Sequence, residues 1–215
     1  MRQELNSRIT GCVRGMRMGG LLVGAHKPPL MVPVAIIRLI QDGGTNYAAL
    51  WNDCRALQKT DSVTIHTAIA HFSLACVLQW ALTENEPAPP DVLLGMLSVV
   101  ITRTALVEVA ERVRVNTVSE QLAAIPEHYH DVALLRRVAG ALLPVGLFMR
   151  HAHPQGFNDC LFESSPAESG GLACMATTGA LIGAWVGAGG IPHDWVSEIP
   201  KLPGEDGSLD EYIKT

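Results

Sequence analysis

The stretch 179–187 reads Gly-Ala-Leu-Ile-Gly-Ala-Trp-Val-Gly, and its spacing of small residues decides the fold. Its three glycines repeat every four residues, which places them on one face of a helix. A face without side chains lets a second helix approach closely. A stripe with the same spacing occurs near the start of the chain, at Gly11, Gly15 and Gly19. These stripes predict tightly packed helices.

The composition agrees with an all-α fold in one domain. Hydrophobic residues make up 48% of the 215 residues, charged residues 17% and aromatic residues only 5%. The apolar bulk therefore comes from small and aliphatic side chains, which suits packed helices better than a β-sandwich. We expect a single helical domain over residues 1–203, followed by an acidic tail over 204–215. The net charge of −5 argues against electrostatic binding to nucleic acid or to anionic lipid.

Apolar periodicity and helix-capping residues locate most of the helices. Leu30–Ile40 is apolar and fits either a strand or a helix. Proline and glycine set the other boundaries: we expect Pro126 to interrupt a helix, Pro144 to kink one, and Gly189-Gly190 to end the glycine-rich helix. Helices are predicted at Tyr47–Gln58, Thr64–Leu82 and Val92–Ile101. A further helix runs to about Ala124, and a long one runs from the cap Asp131 through Met149.

Residues 171–191 carry no charged side chain, over a length that could span a bilayer. They are rich in glycine, alanine and threonine, which gain little on transfer to lipid, so we favour a soluble protein without a membrane span. The five cysteines are widely spaced and form no C-x-x-C pair. A reducing cytoplasm is the simplest compartment for them.

The C-terminal third resembles the ADP-ribosylglycohydrolase family, the helical enzymes that remove ADP-ribose from modified proteins. The resemblance rests on residues 157–161 (Phe-Asn-Asp-Cys-Leu), on Gly170-Gly171, on the helix 179–187 and on residues 190–195 (Gly-Ile-Pro-His-Asp-Trp). Family members typically show a G-G-D-T-D-T loop, a G-A-x-x-G-A helix and an I-P-x-x-W turn. Residues 130–200 carry the resemblance, which implies a compact orthogonal helical bundle.

Two alignments of the N-terminal part remain open. In the first, the stripe from Gly11 to Gly19 corresponds to the family's opening glycine-rich helix, and Thr60-Asp61-Ser62-Val63 stands at its T-D-D-T motif. In the second, Gly15-Met16-Arg17-Met18 corresponds to the internal G-x-x-M-R segment, and the family's N-terminal third is missing. Both alignments imply a deletion relative to the family.

The resemblance also implies a pair of Mg²⁺ or Mn²⁺ ions held by carboxylates, and these ligands are degenerate here. After Gly170-Gly171 the chain reads Leu172-Ala173-Cys174-Met175, without an Asp at either metal position. The first alignment keeps only Asp61 at the other half-site. One carboxylate cannot neutralise two dications, so we expect no metal site and no cofactor.

We therefore expect a catalytically impaired relative that binds ADP-ribose, an ADP-ribosylated protein or a partner protein. One alternative is an active but divergent glycohydrolase, with Asp61 and Glu168 as weak catalytic candidates. Another is a structural or self-associating helical subunit. A thiol nucleophile at Cys174 with His66 and Asp61 is a minor hypothesis. The predicted ligand-binding residues are Thr60, Asp61, Ser169, Gly170, Gly171 and Cys174.

Overall fold

Every regular element that the structure describes is helical, which confirms the all-α class for those residues. The computed structural model describes residues 2–21, 31–61, 64–84, 90–105, 109–150 and 172–198. Short 3-10 turns occupy Gly140–Leu142 and Ala188–Gly190. The helices are α1 (Arg2–Leu21), α2 (Met31–Asp42), α3 (Tyr47–Asp61), α4 (Ile65–Thr83), α5 (Pro90–Ala105), α6 (Val109–His128), α7 (Val132–Ala139), α8 (Leu143–Arg150), α9 (Leu172–Val186) and α10 (His193–Glu198).

Helix α4 forms the centre of the bundle. It is apolar on nearly every face, and it packs against α1, α2, α3, α5, α6, α8 and α9. Its start is fixed by Thr64, whose hydroxyl accepts a hydrogen bond from the backbone N–H of Thr67 at 3.3 Å. The predicted helix Thr64–Leu82 is thus confirmed within a residue at each end. The ambiguous segment from Leu30 is α2, which packs on α4.

Two described helical stretches are long and apolar enough to cross a membrane by length and composition, Ile65–Thr83 and Val132–Arg150. In the first, 78% of the apolar window is buried inside the protein, as is typical of a core helix. The uncharged stretch 171–191 contains only a shorter apolar helix, because α9 ends at Val186. This length is below the roughly 20 residues that a straight span requires.

The two glycine stripes pack against each other, and α1 and α9 run antiparallel along their whole contact. A β-carbon on any of the three α1 glycines would meet backbone atoms of α9, so the approach is set by the main chain. Such closeness maximises dispersion contacts between the two backbones. The pairs run in opposite order along the helices: Gly11 against Gly187, Gly15 against Gly179, and Gly19 against Met175.

An aromatic cluster joins the C-terminal ends of α4 and α9. The rings of Trp80 and Trp185 stack with centroids 5.4 Å apart, and Phe148 lies edge-on to both. Arg8 of α1 lies over the Trp185 ring at 5.7 Å and donates to the carbonyl of Ala81 at 3.0 Å. Because α4 and α9 pack together and their last turns meet here, both helices point toward this end of the bundle.

The predicted long helix after Asp131 is divided, and its break lies four residues before the predicted kink at Pro144. Asp131 does cap α7, accepting from the N–H groups of Ala133 and Leu134 at 2.9 and 3.1 Å. The chain then turns at Gly140, with φ of 51°. Pro144 has no N–H to donate to the carbonyl four residues earlier, and its ring crowds that carbonyl. The break therefore appears at Gly140, where glycine tolerates the positive φ.

Two other predicted helix ends were wrong. Pro126 does not interrupt α6, which continues to His128. The glycine-rich helix ends at Val186 and is followed by Gly187, with φ of 70°, before the predicted stop at Gly189-Gly190. A left-handed residue directly after a helix leaves the helical path, so Gly187 is sufficient to end α9. The following glycines form the 3-10 turn instead.

Candidate functional site

Among the predicted ligand-binding residues, only Cys174 has a described side chain. It lies in the first turn of α9. Thr60 and Asp61 are the last two residues of α3, described in their backbone only. Ser169, Gly170 and Gly171, together with the catalytic candidate Glu168, lie outside the described residues. The same holds for the tail 204–215.

The fold brings the two predicted half-sites to one end of the bundle. The ring centroids of Trp51 in α3 and Phe72 in α4 lie 5.4 Å apart. These helices are consecutive in the chain and pack as an antiparallel pair. The end of α3, with Thr60 and Asp61, therefore adjoins the start of α4. Since α4 and α9 point in the same direction, the start of α4 and the start of α9, with Cys174, lie at the same end. The last turn of α1 reaches this end too, because Gly19 contacts Met175.

Cys174 is a buried, protonated thiol. The residue is 8% exposed, and its Sγ lies 4.0 Å from the hydroxyl of Thr178, one turn further along α9. Burial raises the pKa of the Cys174 thiol to about 11, although the contact with Thr178 and the positive charge of Arg136 act in the opposite direction. At neutral pH the group is a neutral thiol, so the minor hypothesis of a Cys174 nucleophile with His66 and Asp61 gains no support.

Arg136 of α7 supplies positive charge within electrostatic range of Cys174. Sequence reasoning did not single out Arg136 as a site residue. Arg137 is exposed, whereas Arg136 is half-buried and lies on the same face of α7 as the buried Leu135 and Ala139. The cap at Asp131 fixes where α7 starts, and counting turns from it would have placed Arg136 on the inner face.

The described donors do not fit a pair of Mg²⁺ or Mn²⁺ ions. These hard cations take carboxylate, carbonyl and water oxygens, whereas Cys174 offers a protonated sulfur and Thr178 a neutral hydroxyl. No group of three or more His, Cys, Asp or Glu side chains is arranged for metal binding within the ranges that the structure describes. The carboxylate of Asp131, beside His128 and His130, already accepts two helix N–H groups as a cap.

Comparison of this chain with models of protein families, with curated proteins and with solved structures finds no match in any of the three.

Proposed function

We propose that this chain is a divergent relative of the ADP-ribosylglycohydrolases, with their helical fold, that binds ADP-ribose or a protein modified with it. The observation that carries the proposal is the common end of the bundle. The end of α3, with Thr60 and Asp61, and the start of α9, with Cys174, both lie toward this end although they are more than a hundred residues apart in sequence. In the first of the two alignments, these segments correspond to the two half-sites of the family.

The chemistry of this end favours an anionic ligand such as a diphosphate. Helix α9 has 15 residues, and the N–H groups of its first turn carry the positive end of the helix dipole. Arg136 adds a guanidinium whose positive charge acts to lower the pKa of the Cys174 thiol. The diphosphate of ADP-ribose would meet positive potential from both sources, and Gly170-Gly171 would let it approach the backbone closely.

Binding without hydrolysis follows from the donor set. The family's mechanism depends on two dications, and a dication needs several oxygen ligands with negative charge among them. With Gly170-Gly171 aligned to the family's G-G, Cys174 stands at the second Asp position, and its thiol stays protonated at physiological pH. The remaining carboxylate of Asp61 can accept hydrogen bonds from ribose hydroxyls, which requires no metal.

Calorimetric titration of the full chain with ADP-ribose in EDTA tests the binding. We expect saturable one-to-one binding, with AMP and ribose 5-phosphate each binding more weakly. Asp61→Asn should lower the affinity about tenfold, since it removes one charge-assisted hydrogen bond. Glu120→Gln, on the exposed face of α6, is the matched control and should change nothing. Absence of binding to both ADP-ribose and an ADP-ribosylated protein would refute the proposal.

A second assay separates a binding protein from a divergent enzyme. Incubation with ADP-ribosylated arginine and Mn²⁺ should release no more ADP-ribose than buffer does. Release that is lost in Asp61→Asn or Glu168→Gln would establish the divergent glycohydrolase instead. The proposed localisation is the cytoplasm, where ADP-ribosylated proteins would be accessible.

A further inference from the structure

Helix α5 exposes a line of apolar side chains along its outer face. Val92, Met96 and Val99 are 47%, 55% and 50% exposed, and they follow one another at spacings of four and three residues. Their inner-face neighbours such as Leu94 and Ile101 are buried against α3, α4 and α6. Single exposed hydrophobic residues are ordinary, but three in a line over two turns form a continuous patch of the kind that marks a protein interface.

At the centre of this patch, an exposed side chain lies beside an open space on the helix surface. Met96 has the most exposed side chain of the three. Beside it, a β-carbon placed on Gly95 would have no atom within 4 Å, so the surface over Gly95 is open. Val92 lies three residues before this pair and Val99 three residues after it. The patch therefore has the same pattern in both directions along the helix.

We propose that the α5 patch, Val92, Gly95, Met96 and Val99, pairs with the same patch on a second copy of this chain. The two helices would cross antiparallel about a two-fold axis beside Gly95 and Met96. Each Met96 would enter the open space over Gly95 of the other copy, and each Val92 would face the other copy's Val99. A two-fold interface must be complementary to itself, and this sequence pattern meets that condition.

Charge supports the antiparallel direction. No charged residue lies between positions 92 and 102, so nothing opposes burial of the patch. The last turn of α5 exposes Arg103, whereas Asp91 belongs to its first turn in sequence and α4, the preceding helix, is followed by the exposed Glu84. An antiparallel pair places the basic end of each helix near the acidic end of the other.

The expected dimer is weak. One face of a 16-residue helix buries far less than the roughly 800 Å² per partner of a standard stable complex. Association should therefore depend on concentration, with dimers forming at high and dissociating at low concentration. The inference is independent of the proposed ligand, because α5 does not contribute any predicted ligand-binding residue.

Sedimentation velocity of the full chain over a hundredfold range of concentration tests the pairing. We expect the mass to move from monomer toward dimer as concentration rises. Met96→Glu should raise the dimer dissociation constant at least tenfold, because it places two carboxylates at the symmetry axis. Leu134→Glu, at a residue 39% exposed on α7, is the matched control and should leave dimerisation unchanged.

Gly95→Gln separates loss of the interface from loss of the fold. Glutamine favours a helix more than glycine does, so the variant should unfold at the same or a higher denaturant concentration. Its side chain fills the space that Met96 of the other copy would enter, so dimerisation should weaken at least tenfold. Weaker dimerisation together with unchanged or increased folding stability is expected only if the patch is an interface.

Three results would overturn the proposal. The first is a monomer at every concentration. The second is a dimer that neither Met96→Glu nor Gly95→Gln weakens, which would place the interface elsewhere. The third is slow maleimide labelling of the M96C thiol in the dilute monomer, which would show that another segment of this chain covers the patch.

Discussion

Gly15 of α1 and Gly179 of α9 touch backbone to backbone, with no room for a side chain between them. A β-carbon on Gly15 would collide with the carbonyl of Gly179 and would lie 3.3 Å from the Cα of Gly183. The same restriction holds at the ends of the contact, where a β-carbon on Gly19 would come within 2.9 Å of the Cα of Ala176. The glycines are therefore required by main-chain packing, since helical φ and ψ suit any residue.

We predict that Gly15→Ala destabilises the protein by about 3 kcal/mol, because the added methyl group forces the two backbones apart. Gly179→Ala should have a similar effect. Urea unfolding followed by circular dichroism measures the change. The urea concentration at the unfolding midpoint should fall. The m-value should change little, since the same surface is exposed on unfolding.

Gly95→Ala is the matched control for this prediction. Gly95 also lies within a helix, but a β-carbon there would meet no atom within 4 Å. The substitution should therefore stabilise the protein by about 0.5–1 kcal/mol through helix propensity alone. If Gly15→Ala were stabilising as well, the close contact between α1 and α9 would be wrong.

We predict that the protein loses stability as the pH rises above about 9. Burial raises the pKa of Cys54 to about 12 and that of Cys174 to about 11, and it raises the pKa values of Cys12 and Cys76 as well. The unfolded chain releases these protons near pH 9, whereas the folded chain retains them. Stability is therefore complete below pH 9 and falls as the pH approaches the folded values.

The slope should be about 1.4 kcal/mol per pH unit for each retained proton. Urea unfolding at several values between pH 8 and pH 10.5 measures it. Cys174→Ser should make this slope shallower by the contribution of one thiol to the pH dependence of the unfolding free energy, since a hydroxyl does not titrate in this range. An unchanged stability across this range would contradict the burial of the four thiols.

We predict that Arg8→Met lowers the free energy of unfolding by about 2 kcal/mol. The Arg8 guanidinium donates to the carbonyls of Ala81 and Glu84 at the C-terminal end of α4, where helix carbonyls lack intrahelical N–H donors. It also lies over the Trp185 ring, so its loss should change the tryptophan emission spectrum.

Glu4→Gln is the control for Arg8. Glu4 accepts from Arg8 at 3.2 Å, but its side chain is 54% exposed. An exposed ion pair contributes little, so this variant should lose no more than about 0.5 kcal/mol. Equal losses from Arg8→Met and Glu4→Gln would mean that the carbonyl contacts contribute nothing.

We predict that Arg136→Gln weakens ADP-ribose binding about tenfold, because it removes the charge that acts at the start of α9. Arg137→Gln is the matched control, since Arg137 is the adjacent residue and is exposed. Calorimetry in EDTA gives both affinities. Equal weakening by the two variants would indicate a general effect of net charge in place of a specific contact.

The sequence was sufficient to predict the helices whose apolar pattern is strong. It identified α3 and α4 within three residues at each end, and the cap at Asp131. Both glycine stripes were also recognised as packing faces, but their pairing with each other was not. Spacing shows that a face is free of side chains, and it does not show which of several helices will cover that face.

One error in a helix boundary arose because a proline can break its helix several residues earlier in the chain. Pro144 breaks its helix at Gly140 because the lost hydrogen bond lies four residues earlier. Arg136 was not singled out, although the predicted cap at Asp131 fixes where α7 begins. At the candidate site the sequence predicted, from a resemblance alone, which residues stand at carboxylate positions, whereas the common end of the bundle follows only from the tertiary contacts.

The proposed function requires that the chain bind ADP-ribose without a pair of dications. Electron paramagnetic resonance of free Mn²⁺, recorded while the full chain is added in the presence of saturating ADP-ribose, tests this most directly. We predict that the free-Mn²⁺ signal stays at its value in buffer with ADP-ribose alone. Removal of two Mn²⁺ ions from solution per chain would contradict the account.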